Sequence, residues 1–186
     1  PDVVFAGTNT ICVSTDGDFT GAPAGCDQVT TSSLATAAAG LAAGKRVLLK
    51  RGQAWSATAT LAITATSAAI LGAWGTGGTQ DERRGIDSDA TIVNVNHNGN
   101  VLTFGNSGST IIANDVRVMD LDFRYTNGGT SGHFAAFSYR GDQLLFYRLK
   151  NSSGQFNYDF NLSTSVPESY GIDPPDLNCI ANCDFS

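Results

Sequence analysis

Carboxylates and cations recur at matched places near the end of this chain. The runs "DVRVMDLDF", "QLLFYRLKN" and "NCIANCDFS" put Asp120, Arg148 and Asn182 in one file and Asp122, Lys150 and Asp184 in another. If the runs are strands stacked in parallel, residues two apart share a face and equivalent residues of successive strands form ladders. Asp120 and Asp122 would then share one outer face, roughly 6.6 Å apart along the strand. Asp122 and Asp184 would lie two strands apart, roughly 9.6 Å, with Lys150 between them. Leu121, Leu149 and Cys183 would point inward.

Two kinds of catalysis need such a set. Inverting glycosidases hold two carboxyl groups roughly 6.5–9.5 Å apart, leaving room for a water. Asp120, Asp122 and Asp184 would meet that spacing. A β-elimination lyase needs a base, and a cation that acidifies the proton to be removed. Lys150 or Arg148 would serve as base or carboxylate anchor, and Asp122 and Asp184 would hold Ca²⁺. His133, in "TSGHFAAF", is expected to reach the face of Lys150. Tyr147 and Tyr170 are expected to line a substrate groove. The competing explanation is a solvated Asp–Lys–Asp ladder that avoids like-charge contact, worth under about 1 kcal/mol per pair and needing no function. Neither His97 nor His133 has a Ser or Cys nucleophile in a recognisable motif, which argues against triad chemistry.

The elements that must position these residues are short apolar runs at a loose period. Val47, Ile70, Ile92, Val116 and Leu144 align at steps of about 23, 22, 24 and 28 residues, and the last step lengthens to about 34. Secondary runs such as "TLAIT", "NVLTFGN" and "HFAAFSY" lie between them, with Gly- and Asn-rich corners. This pattern predicts an all-β, right-handed parallel β-helix (a β-solenoid) with an N-terminal α-helical cap. One domain spans residues 1–186: an N-terminal loop and capping helix over 1–44, then about six coils over 45–186. The helix is "TTSSLATAAAGLAAGKR", with cap candidates at Thr31, Ser32 and Ser33 and a stop at Gly44. The longest insertion, "NLSTSVPESYGIDPPDLN", carries Glu168, Asp173 and Asp176 and would wall a groove.

"SAAILGAWGTGGTQ" ends an apolar strand in glycines around one tryptophan. A phosphate loop would need a helix to follow, with its N-terminus facing the anion. "GTGGTQDERRG" leads into polar turn residues instead, so the glycines are read as a corner. The succession of a capping helix ending in Gly, "VLLKRGQAW", "TLAI" and "ILGAWGTG" resembles the N-terminal part of the pectate-lyase-like superfamily of right-handed parallel β-helix proteins. The resemblance covers residues 33–78. It implies the fold and an extracellular polysaccharide as partner. It does not carry the superfamily's catalytic residues, which lie outside this signature.

Bulk properties narrow the classes further. The chain has 186 residues, of which 15% are charged and 21 are Gly, with a net charge of −6. That balance argues against broad nucleic-acid binding. No apolar run approaches the roughly 18 residues of a membrane span. Cys12 and Cys26 flank a Gly- and Asp-rich loop and could close it as a disulfide. Cys179 and Cys183 would lie roughly 13 Å apart in an extended strand, too far to bridge. Four cysteines and few lysines fit a secreted protein. The start at Pro1 suggests a processed product, and the stop at Ser186 inside a strand suggests a longer protein or another chain covering the last coil. The expected function is action on an extracellular polysaccharide, as lyase or glycoside hydrolase. The alternative is a non-catalytic surface or adhesive protein that binds glycan or protein. "TATLAITATS" prompts a weaker third reading, ice or surface binding, because other runs do not continue its Thr pattern.

Overall fold

Alternation builds the strands. In Val116-Arg117-Val118-Met119 the valines are buried while Arg117 and Met119 stay half-exposed, the signature of a strand with one face on a core. The computed structural model describes residues 4–75, 91–105, 113–126, 132–138, 141–151, 157–158 and 179–181. Their strands lie in four sheets. The first runs in the order β17 (Cys179–Ala181), β14 (Leu145–Tyr147), β10 (Val116–Met119), β6 (Ala69–Trp74), β3 (Arg46–Lys50), β1 (Thr10–Ser14) and β2 (Asp27–Thr30). The second holds β15 (Lys150–Asn151), β11 (Asp122–Tyr125), β7 (Ile92–Val95) and β4 (Ala54–Ala57). The third holds β16 (Asn157–Tyr158), β12 (Gly132–Ser138), β8 (Gly99–Phe104) and β5 (Leu61–Ile63). A fourth pairs β13 (Gly141–Asp142) with β9 (Ala113–Asn114). All these pairings are parallel.

Register turns the runs into columns. Ile11, Val47, Leu71, Val118 and Phe146 are successive partners across the first sheet. Trp55, Val93 and Phe123 do the same across the second. All but Ile11 are fully buried and join one core with Phe104 of the third sheet. Each such side chain contributes roughly 1.5–3 kcal/mol of burial, so the core rests on columns rather than on any single strand.

Three expectations are corrected here. The expected column of Val47, Ile70, Ile92, Val116 and Leu144 does not form. Val47 pairs with Leu71, Ile70 faces outward beside Arg117, and Ile92 sits in the second sheet beside Asp122. A one-residue slip moves a residue to the other face, and two buried sheets of one chain carry the same apolar alternation. The expected long helix is also absent. Helical structure over this stretch is four α-helical residues, Leu34–Ala37, and a 3-10 turn, Ala38–Gly40. Ser33 caps it by accepting from the Thr36 amide. Beyond Gly40 the chain is extended at Leu41, because a poly-alanine stretch without an apolar stripe gives a helix little to pack. The end of the first sheet is covered instead by strands β1 and β2, inside the segment expected to be loop and helix.

The fold class is corrected accordingly. The right-handed parallel β-helix with an α-helical cap is replaced by a set of parallel sheets with seven helical residues between β2 and β3. Among the described residues no closed solenoid is formed.

Corners set the reach of the site. Asp115 and Asp120 bracket β10 with positive φ, +49° and +62°, and Gln143 and Arg148 bracket β14 with +54° and +51°. Asp120 and Arg148 are 28 residues apart, and the same interval separates Asp115 from Gln143. Two neighbouring strands therefore end in the same left-handed corner. Asp tolerates that conformation and Arg does so at a cost of roughly 1–2 kcal/mol, so other contacts must hold Arg148 there.

Candidate functional site

Asp120 supplies those contacts. Arg148 donates to both of its carboxylate oxygens, from Nε to Oδ1 and from Nη2 to Oδ2 at 2.8 Å. Arg51, at the end of β3, places Nη2 3.6 Å from Oδ2. All three side chains are largely buried, at 8% exposure for Asp120, 16% for Arg148 and 11% for Arg51. The strands thus end in a carboxylate clasped by guanidinium groups from both sides. The hydrogen bonds to Asp120 push the Arg148 guanidinium above its ordinary range, so it is a fixed cation.

Asp122 is not on the same strand face as Asp120. The corner separates them: Asp120 follows β10 of the first sheet and Asp122 opens β11 of the second. Asp122 is fully buried, and its Oδ2 accepts from Arg124 Nε at 2.8 Å and lies 2.7 Å from Nη2. Lys150 is its partner in the parallel register, as the ladder predicted. Leu121 and Leu149 point inward, also as expected. Asp184, Asn182, Cys183, Glu168, Tyr170, Asp173 and Asp176 lie outside the described residues. His133 lies in the third sheet, partnered with Asn100 and Asn157, whereas Lys150 lies in the second. The strands that carry the two residues thus belong to different sheets.

This geometry limits the chemistry. A general acid or base must turn a carboxyl oxygen toward substrate. Asp120 turns both of its oxygens to Arg148, and Asp122 gives one to Arg124. Arg148 anchors rather than abstracts protons. Arg124 takes up Oδ2 of Asp122, and Asp184, the other expected Ca²⁺ ligand, lies outside the described residues. Among the described residues no cluster of three metal-ligating side chains occurs.

Tyr147 is the feature that faces outward. It follows the inward Phe146, partners Met119 across the strands, and is half-buried. The Arg148 guanidinium carbon lies 4.3 Å from its ring centre. An outer strip runs from it through Met119 and Gly72 to Leu48. Gly72 permits this continuity, since a Cβ there would stand 3.1 Å from Met119 Cγ and 3.6 Å from Leu48 Cδ2.

The strip ends under a strap that sequence reasoning did not place. The expected Cys12–Cys26 disulfide is formed, with Cα atoms 6.0 Å apart. The loop it closes folds back over Leu48 and Trp74. Lys50 Nζ donates to Asp18 Oδ2 at 2.7 Å and to the Asp18 carbonyl at 2.8 Å. That bond holds the Asp18 carboxyl down at about 2, and hydrogen bonds, first from Ser14, hold Asp16 well below the usual carboxylate range. Both values are depressed, so their contribution to strap docking is complete above the unfolded value of 3.8; that of Asp18 is lost as the pH falls through about 2, and that of Asp16 at still lower pH. The tryptophan signal of strap docking should therefore stay constant from neutral pH down to about 4 and decline below it. Asp18→Asn should flatten part of that acid limb, as fluorescence titration of both proteins would read.

Trp74 answers the question raised by the glycine-rich stretch. It is an outer-face residue roofed by the strap, and Gly75 (φ +113°) ends the strand beside it. The corner reading of Gly75 holds, while Gly77 and Gly78 lie outside the described residues. Arg51, Lys50 and Phe19 were not singled out from sequence, and Trp74 was read only as part of a corner. The one available signal was the pair of cysteines around "TDGDFTGAPAG". No family model matches this chain, and no curated protein or solved structure matches it. No helix of the described residues is long and apolar enough to cross a membrane.

Proposed function

We propose that this protein is a non-catalytic extracellular module that binds glycan on the outer face of its first sheet, around Tyr147. One observation carries the reading: the candidate carboxylates are turned to guanidinium partners, while an aromatic ring braced by Arg148 stays at the surface. An aromatic face flanked by fixed polar groups suits a sugar ring, which has an apolar face and a polar rim. The disulfide supports a secreted location. A second reading, cleavage of the same glycan, draws on the register of Lys150 beside the buried Asp122.

The test is affinity electrophoresis against a panel of neutral and uronic polysaccharides, run with reducing-sugar and unsaturated-product assays with and without Ca²⁺. Retention without product is expected. Tyr147→Ala should weaken retention about tenfold, as loss of a central aromatic anchor does. Product formation would move the conclusion to the second reading. Failure of every glycan to retard the protein would sink both.

A further inference from the structure

The strap packs apart from the main core. Phe19, Ala22 and Cys26 sit against Cys12, Leu48 and Trp74, a separate cluster on the outside of the first sheet. Within it the Phe19 ring lies over the Trp74 ring, with centroids 6.2 Å apart and planes 9° from parallel. Trp74 Nε1 donates to the Val13 carbonyl at 3.2 Å, which pins the indole edge and leaves a face for a flat partner. Lys50 Nζ stands 5.8 Å from the same ring centre. Trp74 is 4% exposed and the strap packs against it, while Asp16 and Asp18, which tie the strap down, are themselves more than half exposed. Ion pairs that open to water hold weakly. The firm attachment is the disulfide.

We propose that Trp74 is a second sugar-ring platform, that Phe19 occupies it as an internal stand-in, and that the strap is a lid latched by Cys12–Cys26. This rests on the glycan reading above. The platform adjoins the strip of Leu48, Gly72, Met119 and Tyr147, so opening the lid lengthens one continuous binding face. The latch opens by exchange with a dithiol reductant. The S–S bond breaks, Cys12 and Cys26 each gain a proton and become thiols, and the two reductant thiols are oxidised to a disulfide. Phe19 is then held by its stack on Trp74, the Lys50 contacts to Asp18 and the Thr15–Gln53 hydrogen bond, without a covalent tie.

The test uses the full chain in three forms: oxidised, reduced with dithiothreitol, and Phe19→Ala with the disulfide intact. Cys26→Ser controls for the other two cysteines. Trp55 is fully buried in the main core, so acrylamide quenching of tryptophan fluorescence reports Trp74. Quenching is expected to rise on reduction and in Cys26→Ser. Phe19→Ala is expected to tighten glycan retention about fivefold, and Trp74→Ala in that background to remove the gain. Unchanged quenching after complete thiol titration would overturn the latch. Retention of the wild type with no gain in Phe19→Ala would overturn the platform and leave the Tyr147 face standing. No retention of either protein would overturn the glycan reading and this proposal with it.

Discussion

Asp120→Ala is expected to destabilise the protein by about 3–5 kcal/mol, the cost of leaving a buried charge without its counter-ion. The loss concentrates at this residue because its carboxylate answers both Arg148 and Arg51, which come from strands on either side of it in the first sheet. Removing it leaves two guanidiniums facing each other in a corner with little access to water. Arg148→Ala should cost much less, about 1–2 kcal/mol, because Asp120 keeps Arg51 and the left-handed backbone at position 148 becomes easier for the smaller residue. For a chain of this length the first change corresponds to a fall of roughly 10 °C in the unfolding midpoint. Calorimetry of the two variants beside the wild type decides it. Equal effects, or an Asp120→Ala shift below about 1 kcal/mol, would mean the corner is solvated and the clasp unimportant.

The second large effect separates neighbours in sequence. Phe146→Ala should cost about 3–5 kcal/mol, the range for emptying a large buried aromatic site. Phe146 is fully buried in the first-sheet column and meets Phe104 of the third sheet edge-on, with ring centres 5.4 Å apart and planes at 79°. Its loss opens a void where two sheets meet and removes an aromatic pair worth roughly 0.5–1.5 kcal/mol. Tyr147→Ala, one residue on and facing out, should cost under about 1 kcal/mol while weakening glycan retention. Denaturant unfolding of both variants measures the contrast. Similar losses at 146 and 147 would contradict the assignment of faces.

Parts of this arrangement were legible from the residues. The ladder Asp122–Lys150 and the meeting of Asp120 with Arg148 follow from aligning "RVMDLDF" with "LFYRLKN", because neighbouring strands bracketed by equally spaced corners repeat those corners at a fixed interval. The disulfide was legible because two cysteines bracketed a loop rich in turn residues. The charge state of the site was not. An Asp in an outer file reads the same whether water or an arginine from elsewhere in the fold covers it. Arg51 comes from a run aligned with that of Asp120, but the ladder drawn through Asp120 was not extended back to it. Arg148 was not recognised as a corner residue, because neither Arg148 nor Gln143 advertises positive φ as glycine would.

The sequence by itself determined that short apolar strands separated by tight corners must stack in parallel, since no single run carries enough apolar surface to stand alone and the period-two pattern fixes which side chains turn in. Only the tertiary structure decided which sheet each strand joined, because Val47, Ile92 and Val116 obey the same alternation and the alternation carries no label for the sheet. It decided equally that "TTSSLATAAAG" makes one α-helical turn and one 3-10 turn, since a run of alanines takes its conformation from what packs against it. And it decided that Trp74, whose bulk suggests a core residue, lies on the outside under a strap: burial is a property of what covers a side chain, and the cover came from a loop far away in the chain.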